Sequence, residues 1–167
     1  MPDFRIVEAG QQDCSRIVAL AWEIWPEWYH AIIGPEQIGY MLGQLYQPEL
    51  IQNRMEKGLR YYILSKGGRD AGFFALNCSQ SPVCRLENLY LTRAVRGKGF
   101  GDRMLEKISD LARKAGSSRI QCNVNRFNPA TGFYFSRGFR TVEIADIPFG
   151  PFFLNDFIIE KELFPES

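Results

Sequence analysis

Arg96-Gly97-Lys98-Gly99-Phe100-Gly101 is the stretch on which the fold of this chain turns. Ahead of it, Leu86-Glu87-Asn88-Leu89-Tyr90-Leu91 has the apolar character of a strand. Behind it, Met104, Leu105, Ile108, Leu111, Ala112 and Ala115 fall on one face of a helix. A glycine-rich turn from strand into helix directs several backbone N–H groups, which have no helical carbonyl to bond, at one point. The helix dipole favours negative charge at that point. Gly97, Gly99 and Gly101 permit positive φ and present no Cβ to an approaching anion. Arg96 and Lys98 add cationic side chains. The fitting guest is a phosphate, better still a pyrophosphate. On the hexapeptide alone, a plain turn with solvated basic residues is an equally good account.

Two common phosphate motifs are not matched. Gly67 and Gly72 have the glycine spacing of a Walker A loop, but Phe73 stands where that loop requires lysine. Gly97, Gly99 and Gly101 are spaced G-x-G-x-G, one residue short of the dinucleotide fingerprint.

A second constellation follows at Asn128-Pro129-Ala130-Thr131-Gly132-Phe133-Tyr134-Phe135-Ser136-Arg137-Gly138-Phe139-Arg140. Asn128 before Pro129 has the form of a helix N-cap with proline at the first helical position. Gly138 has the form of the residue past the helix end. Together the two stretches resemble the GCN5-related N-acetyltransferase (GNAT) family. Its acetyl-CoA motif has arginine or glutamine, two residues, glycine, one residue, then glycine or alanine, as in Arg96, Gly99 and Gly101. Its later motif is matched by Ala130, Tyr134, Gly138 and Phe139. Many members carry an asparagine three residues before that alanine; here Asn128 is two before it, and Asn125 is the alternative.

The resemblance implies an α/β, single-domain acetyltransferase (GNAT) fold over residues 1–167, with a mixed central sheet flanked by helices. It implies acetyl-CoA as cosubstrate, no metal, and direct transfer to a small-molecule or peptide amine. Leu89, Tyr90 and Leu91 would pair with the pantetheine arm. Arg96, Gly97, Lys98, Gly99, Phe100 and Gly101 would hold the pyrophosphate, with Asn128 as a further cofactor contact. Tyr134 would protonate the departing thiolate, and Glu87 would act as base towards the amine. The residues themselves also allow a fully paired core strand at 89–91, an aromatic packing role for Tyr134 and a solvated Glu87. Trp28 and Tyr29, near the end of the first helix, are candidates for an acceptor wall, and Asp146 and Asp156 for carboxylates facing an ammonium group. A catalytically silent acyl-CoA-binding sensor or interaction module is the alternative function.

Bulk properties narrow the choice. A length of 167 residues with 46% hydrophobic content fills one core. Lys+Arg of 20 against Asp+Glu of 19 leaves no net field for nucleic acid or an anionic membrane. Cys14, Cys78, Cys84 and Cys122 show no metal-like spacing with His30, the only histidine. With no signal peptide and no long apolar span, the chain is expected to be cytoplasmic with reduced thiols; a homodimer is compatible with all of this. Cys122, between Ile120 and Val124, is expected to be a buried structural thiol.

The remaining pattern predicts a strand over 4–8, helices after Asp13, Pro35 and Pro48, and a hairpin of 61–64 with 72–77. It then predicts a strand over 120–124, a helix over 129–137 and a strand over 139–144. A loop through Pro148, Gly150 and Pro151 leads to a last strand over about 153–163.

Overall fold

Strand and helix follow the hydrophobic periodicity element by element in a computed structural model that describes residues 3–164. In chain order these are β1 (Phe4–Glu8), α1 (Cys14–Tyr29), α2 (Pro35–Leu45), α3 (Pro48–Glu56), β2 (Arg60–Lys66), β3 (Arg69–Asn77) and β4 (Val83–Leu91). Then come α4 (Phe100–Lys114), β5 (Arg119–Asn125), α5 (Ala130–Ser136), β6 (Arg140–Phe149) and β7 (Phe152–Glu162). The strands form a seven-stranded sheet in the order β1-β2-β3-β4-β5-β7-β6. β4 and β5 run parallel, while β1–β2, β2–β3, β5–β7 and β6–β7 run antiparallel. This is the mixed sheet, flanked by helices, of an α/β fold. Residues 1–2 and 165–167, the ends of the domain span read from the sequence, lie outside the described residues.

The chain forms two compact units, Met1–Asn77 with Asn88–Lys107 and Cys78–Glu87 with Ile108–Ser167. In the first, α1 buries Ile17, Leu20, Ala21, Ile24 and Trp25, one face of its period. Proline at the start of α2 and of α3 sets φ for the first turn where no N–H is required. The β2–β3 hairpin closes on Gly67 and Gly68, whose φ values are +59° and +76°. Both strands of the expected hairpin therefore extend to the Lys66–Arg69 pair, and only the two glycines form its turn. Gly72 lies in β3 against β4. A Cβ added there would sit 2.5 Å from the Tyr90 carbonyl oxygen and 2.9 Å from the Leu91 side chain.

In the second unit, Ile120, Cys122 and Val124 turn one face of β5 into the core, as their alternation predicts. Burial pushes the Cys122 thiol up to about 12, so it stays protonated at neutral pH. Two expectations are corrected here. Pro148 and Gly150 do not lie in an open loop: β6 continues through Pro148 to Phe149, which pairs with Phe152 across a tight turn with Gly150 at φ +57°. Proline is tolerated because β6 ends the sheet order, where a missing N–H costs no ladder bond on the open side. The cysteines are not all reduced thiols either. The turn before β4 brings Cys78 and Cys84 together in a disulfide, while Cys14 and Cys122 are free and buried.

The close approach at Gly72 gives a stability test. Gly72→Ala is expected to lower the free energy of unfolding by about 1–3 kcal/mol, the cost of overpacking. In Gly39→Ala the new methyl meets nothing within 4 Å on exposed α2, and stability rises by about 0.4–1 kcal/mol. Urea titration of both variants reads the difference, and an unchanged midpoint for Gly72→Ala would show that β4 yields to the methyl group.

Candidate active site

The glycine turn belongs to the first unit. After β4, the Thr92 N–H donates to the Ala71 carbonyl at 2.8 Å, tying the exit of β4 to β3. A single 3-10 turn over Arg93–Val95 follows, and Val95 is buried. Gly97 and Gly99 then take φ values of +72° and +84°, the left-handed region, and an added Cβ at either would meet nothing within 4 Å. Glycine is required at both for its backbone freedom, and the space beside each is open. The Gly99 carbonyl accepts from the Arg103 N–H at 3.3 Å, so α4 begins directly after the turn. Its first backbone donors point back past Gly99.

Side chains around the turn divide differently from the sequence reading. Phe100 is only 2% exposed and stacks on Phe4 at 5.2 Å, so its ring is a core anchor and only its N–H can serve a ligand. Arg96 turns back onto the protein. Its Nε donates to the Leu91 carbonyl at 3.0 Å, and its guanidinium lies 4.6 Å over the Trp28 ring. Burial lowers the Arg96 pKa from its ordinary value. It braces the turn, which leaves Lys98 as the exposed cation within it. The sequence did not signal this brace, because it joins residues far apart in the chain.

Leu89, Tyr90 and Leu91 end β4 beside this turn and are all half-buried. The Tyr90 hydroxyl lies 3.1 Å from that of Tyr29, and its ring packs against Trp25 and Phe73. Tyr29 and Trp28 are both half-buried, so neither is plain core. His30 accepts no site role: its Nδ1 lies 2.8 Å from the Glu27 carbonyl at the end of α1.

The second unit carries the other predicted residues. The β4–β5 register pairs Val83, Cys84 and Arg85 with Arg119, Ile120 and Gln121, and ends there, although β5 continues to Asn125. Arg85 donates to Gln121 Oε1 at 2.8 Å and to Asn123 Oδ1 at 2.9 Å, and its Nε lies 3.6 Å from Glu87 Oε1. Glu87 is therefore an exposed partner of Arg85. Asn123 Nδ2 donates to Asp156 Oδ2 at 3.3 Å. Asp156 is 8% exposed. Burial raises its carboxyl pKa above the ordinary aspartate range, against the lowering effects of the Asn123 hydrogen bond and of Arg126 and Arg85. Asp146, by contrast, is exposed and paired with Arg126 at 2.8 Å.

At the end of β5 the two asparagines both shape the loop. Asn125 Oδ1 accepts from the Phe127 N–H at 2.9 Å, and Asn128 Oδ1 accepts from the Ala130 N–H at 2.8 Å. Asn128 thus caps the start of α5 as its sequence position predicts. Tyr134, on α5, is 8% exposed and sits edge-on to Phe133 and Phe139 at 5.4 and 5.3 Å. Phe135 of α5 packs on Phe157 of β7 at 6.1 Å. Phe157 and Asp156 are adjacent in a strand and point to opposite faces. α5 consequently covers the face of β7 opposite to the one bearing Asp156. Among the described residues, no three His, Cys, Asp or Glu are grouped to hold a metal ion, and no helix is long and apolar enough to cross a membrane.

Comparison with known proteins agrees with this geometry. The family model of the acetyltransferase (GNAT) domain matches residues 32–146. The chain belongs to this family. An uncharacterized N-acetyltransferase of Escherichia coli, YjgM, is 27% identical over 111 residues, covering 64% of this chain and 66% of the relative. The match thus spans just under two thirds of that relative's length. Among solved structures, the PaiA N-acetyltransferase of Thermoplasma acidophilum in complex with coenzyme A shares the fold at a TM-score of 0.81. It is 23% identical, with 95% of this chain and 98% of that one covered. A GCN5-related N-acetyltransferase from Rhodopseudomonas palustris gives a TM-score of 0.82 at 16% identity, covering 95% of each chain.

The left-handed glycines give a local test that needs no ligand. Gly97→Ala and Gly99→Ala each meet open space, so the cost is backbone strain alone, about 1–2 kcal/mol. Denaturant unfolding should show that loss with native circular dichroism retained; wild-type stability in both variants would show that the turn tolerates right-handed φ.

Proposed function

We propose that this chain transfers the acetyl group of acetyl-CoA directly to an amine, on a small molecule or a peptide, with no covalent enzyme intermediate. The observation that carries the proposal is the turn at Gly97 and Gly99, left-handed, open on its side-chain side and followed at once by α4. Backbone donors at such a helix start suit a pyrophosphate, with Lys98 adding charge. The thioester is held on this reading by the backbone of Leu89, Tyr90 and Leu91, and Asn128 keeps the loop before α5 in shape. Tyr134 donates the proton that the CoA thiolate takes as it leaves. Glu87 is the base that the sequence alone offers towards the amine. Cys122 is unsuited to an acyl-enzyme, since its thiol is buried and protonated at neutral pH. On this reading the chain acts as one acetyltransferase domain in the cytoplasm, without nucleic acid or membrane, as its balanced charge favours.

Two measurements test the proposal. At a hundredfold excess over its dissociation constant, CoA should stabilise the protein by about 2.7 kcal/mol, and Gly99→Val should abolish the shift. A folded Gly99→Val that still responds to CoA would mean that the turn is not the site. Tyr134→Phe keeps the ring packing and removes only the hydroxyl. Its turnover should fall about 10²–10⁴-fold, with acetyl-CoA affinity unchanged because the proton is given only in the transition state. CoA binding without acetyl transfer to any amine of a broad panel would instead favour a silent acyl-CoA-binding module.

A further inference from the structure

The first unit holds a cation whose hydrogen bonding is incomplete. Arg96 gives its Nε to the Leu91 carbonyl at 3.0 Å and lays its guanidinium 4.6 Å over the Trp28 ring. Its Nη2 is buried and has no hydrogen-bond partner. Among the described residues no carboxylate is paired with Arg96. The charges that reach it from a distance are those of Glu27, exposed on α1, and Arg93. Burying a charged N–H without an acceptor is costly. The Trp28 ring offsets only part of that cost, because it offers the guanidinium no lone pair in its plane. A brace of the turn needs Nε and the aliphatic stem alone, so the bare Nη2 requires a separate explanation. Nor is Arg96 aimed at the anion side of the turn: none of its atoms comes within 4 Å of the open space beside Gly99. The guanidinium is directed instead to the last residue of β4 and the last turn of α1. Arg96, Leu91, Trp28 and Tyr29 all belong to the first unit.

We propose that Arg96 determines acceptor specificity: its guanidinium receives the carboxylate of the acceptor, which is a free amino acid. The assignment rests on the acetyl-transfer reading above, with the thioester along Leu89, Tyr90 and Leu91. A carboxylate bonded to Nη2 sits about 3 Å from it, and the same guanidinium holds the Leu91 carbonyl. Carboxylate and thioester are then only a few bonds of a small molecule apart, a spacing that an amino acid spans. A polyamine or an aminoglycoside brings no anion to this cation. The way to Nη2 lies under the last turn of α1. Trp28 and Tyr29 follow Pro26, which lacks the N–H that would bond the Trp22 carbonyl, so the last turn is less firmly tied to the rest of α1. Ahead of Pro26 the helix is fixed by buried Trp25 and by Trp22 Nε1, which donates to the Tyr46 carbonyl at 3.1 Å. Beyond Pro26 the Trp28 stack on Arg96 and the Tyr29–Tyr90 hydroxyl contact join the turn to β4. Lifting that turn admits the guest and leaves the buried part of α1 in place. In the reaction the amino acid nitrogen forms the C–N bond as the C–S bond breaks with its electron pair on sulfur. Of the three ammonium protons one stays on the amide, one goes to the sulfur and one to solvent, so the products are the N-acetyl amino acid, CoA and H⁺.

The test assays the full chain with acetyl-CoA and a set of free amino acids, each beside its own carboxamide, together with spermidine and kanamycin. The carboxamide keeps the amine and removes the negative charge; its amine is the less basic, so chemistry alone favours it over the acid. In wild type the best amino acid should exceed its carboxamide in kcat/KM by about 10–150-fold, as one charge-assisted hydrogen bond allows, and should outrun both polyamine and aminoglycoside. Arg96→Met keeps an aliphatic stem against Trp28 and removes the charge. The acid-over-amide preference should fall below about threefold through a raised KM for the acid, with the carboxamide constants and acetyl-CoA affinity little changed. A merely structural arginine would give equal losses for acid and carboxamide. Should Arg96→Met not fold, Arg96→Lys serves: a point charge without the planar fork should keep the preference but reduce it at least about threefold. A wild-type acid no faster than its carboxamide, equal losses for both in Arg96→Met, or an undiminished preference in Arg96→Lys overturns the proposal. So does a loss of acetyl-CoA affinity with the preference intact, which would make Arg96 a ligand of the CoA phosphates. If wild type acetylates amines without regard to the carboxylate, only the Arg96 assignment falls. If wild type acetylates nothing, the acetyl-transfer reading falls and takes the assignment with it.

Discussion

The carbonyl oxygen of Tyr90 lies where a Cβ on Gly72 would be 2.5 Å away, so β3 and β4 meet as they do only because position 72 has no side chain. Much of the first unit depends on that approach. It fixes the end of β4, from which the Leu91 carbonyl accepts the Arg96 Nε and the Thr92 N–H reaches Ala71. With β4 fixed, the Tyr90 ring meets Trp25 and Phe73, and its hydroxyl meets that of Tyr29. Arg96, clamped between Leu91 and the Trp28 ring, then sets where the left-handed Gly97 and Gly99 begin. The turn is rigid at its base through Val95 and Phe100 and open at its tip. An anion site needs donors that do not have to be reorganised on binding, and this arrangement supplies them.

The second unit meets a different constraint, the cost of burying polar groups. Glu87, Arg85, Gln121, Asn123, Asp156 and Glu160 form a connected row across one sheet face. A fully satisfied network of this kind stiffens the sheet that carries it. The disulfide between Cys78 and Cys84 and the capped loop through Asn125 and Asn128 hold the strands that carry it.

The donor side was legible in the sequence because it is local. A strand, three glycines and a helix occur within a few residues; Gly97 and Gly99 take the positive φ that their residue type suggests, whereas Gly101 lies within α4 without one. The Asn128 cap and the Gly138 stop are local for the same reason. What escaped the sequence is contact between distant positions. The contact of Arg96 with the Trp28 ring was not legible, because Trp28 is 68 positions earlier in the chain. The stacking of Phe100 on Phe4 was hidden for the same reason. Gly72 looked like a Walker near-miss, and its role is set by Tyr90. Pro148 read as a loop signal because the edge position that tolerates it is a property of strand order. Cys78 and Cys84 gave no recognised spacing, and only the turn that joins them makes them a pair.

Asp146 and Asp156 show why acceptor chemistry resists the same treatment. In sequence they are two aspartates of one hairpin, with nothing to choose between them. In the structure, Arg126 takes the Asp146 carboxylate, while to Asp156 it gives only a main-chain contact. One carboxylate is paired with Arg126 and exposed; the other is buried and accepts from Asn123. The difference follows from strand register, which places Asp156 opposite Asn125 and on the far side of β7 from Phe157 and α5. A donor held by backbone groups can be read from glycine and proline placement. An acceptor met by side chains depends on which strand faces which, and a one-residue slip of β7 would put Phe157 where Asp156 now stands. The turn at Gly97 and Gly99 is thus written in the local chain, and the surroundings of the two aspartates in the pairing of β5 with β7 and of β6 with β7.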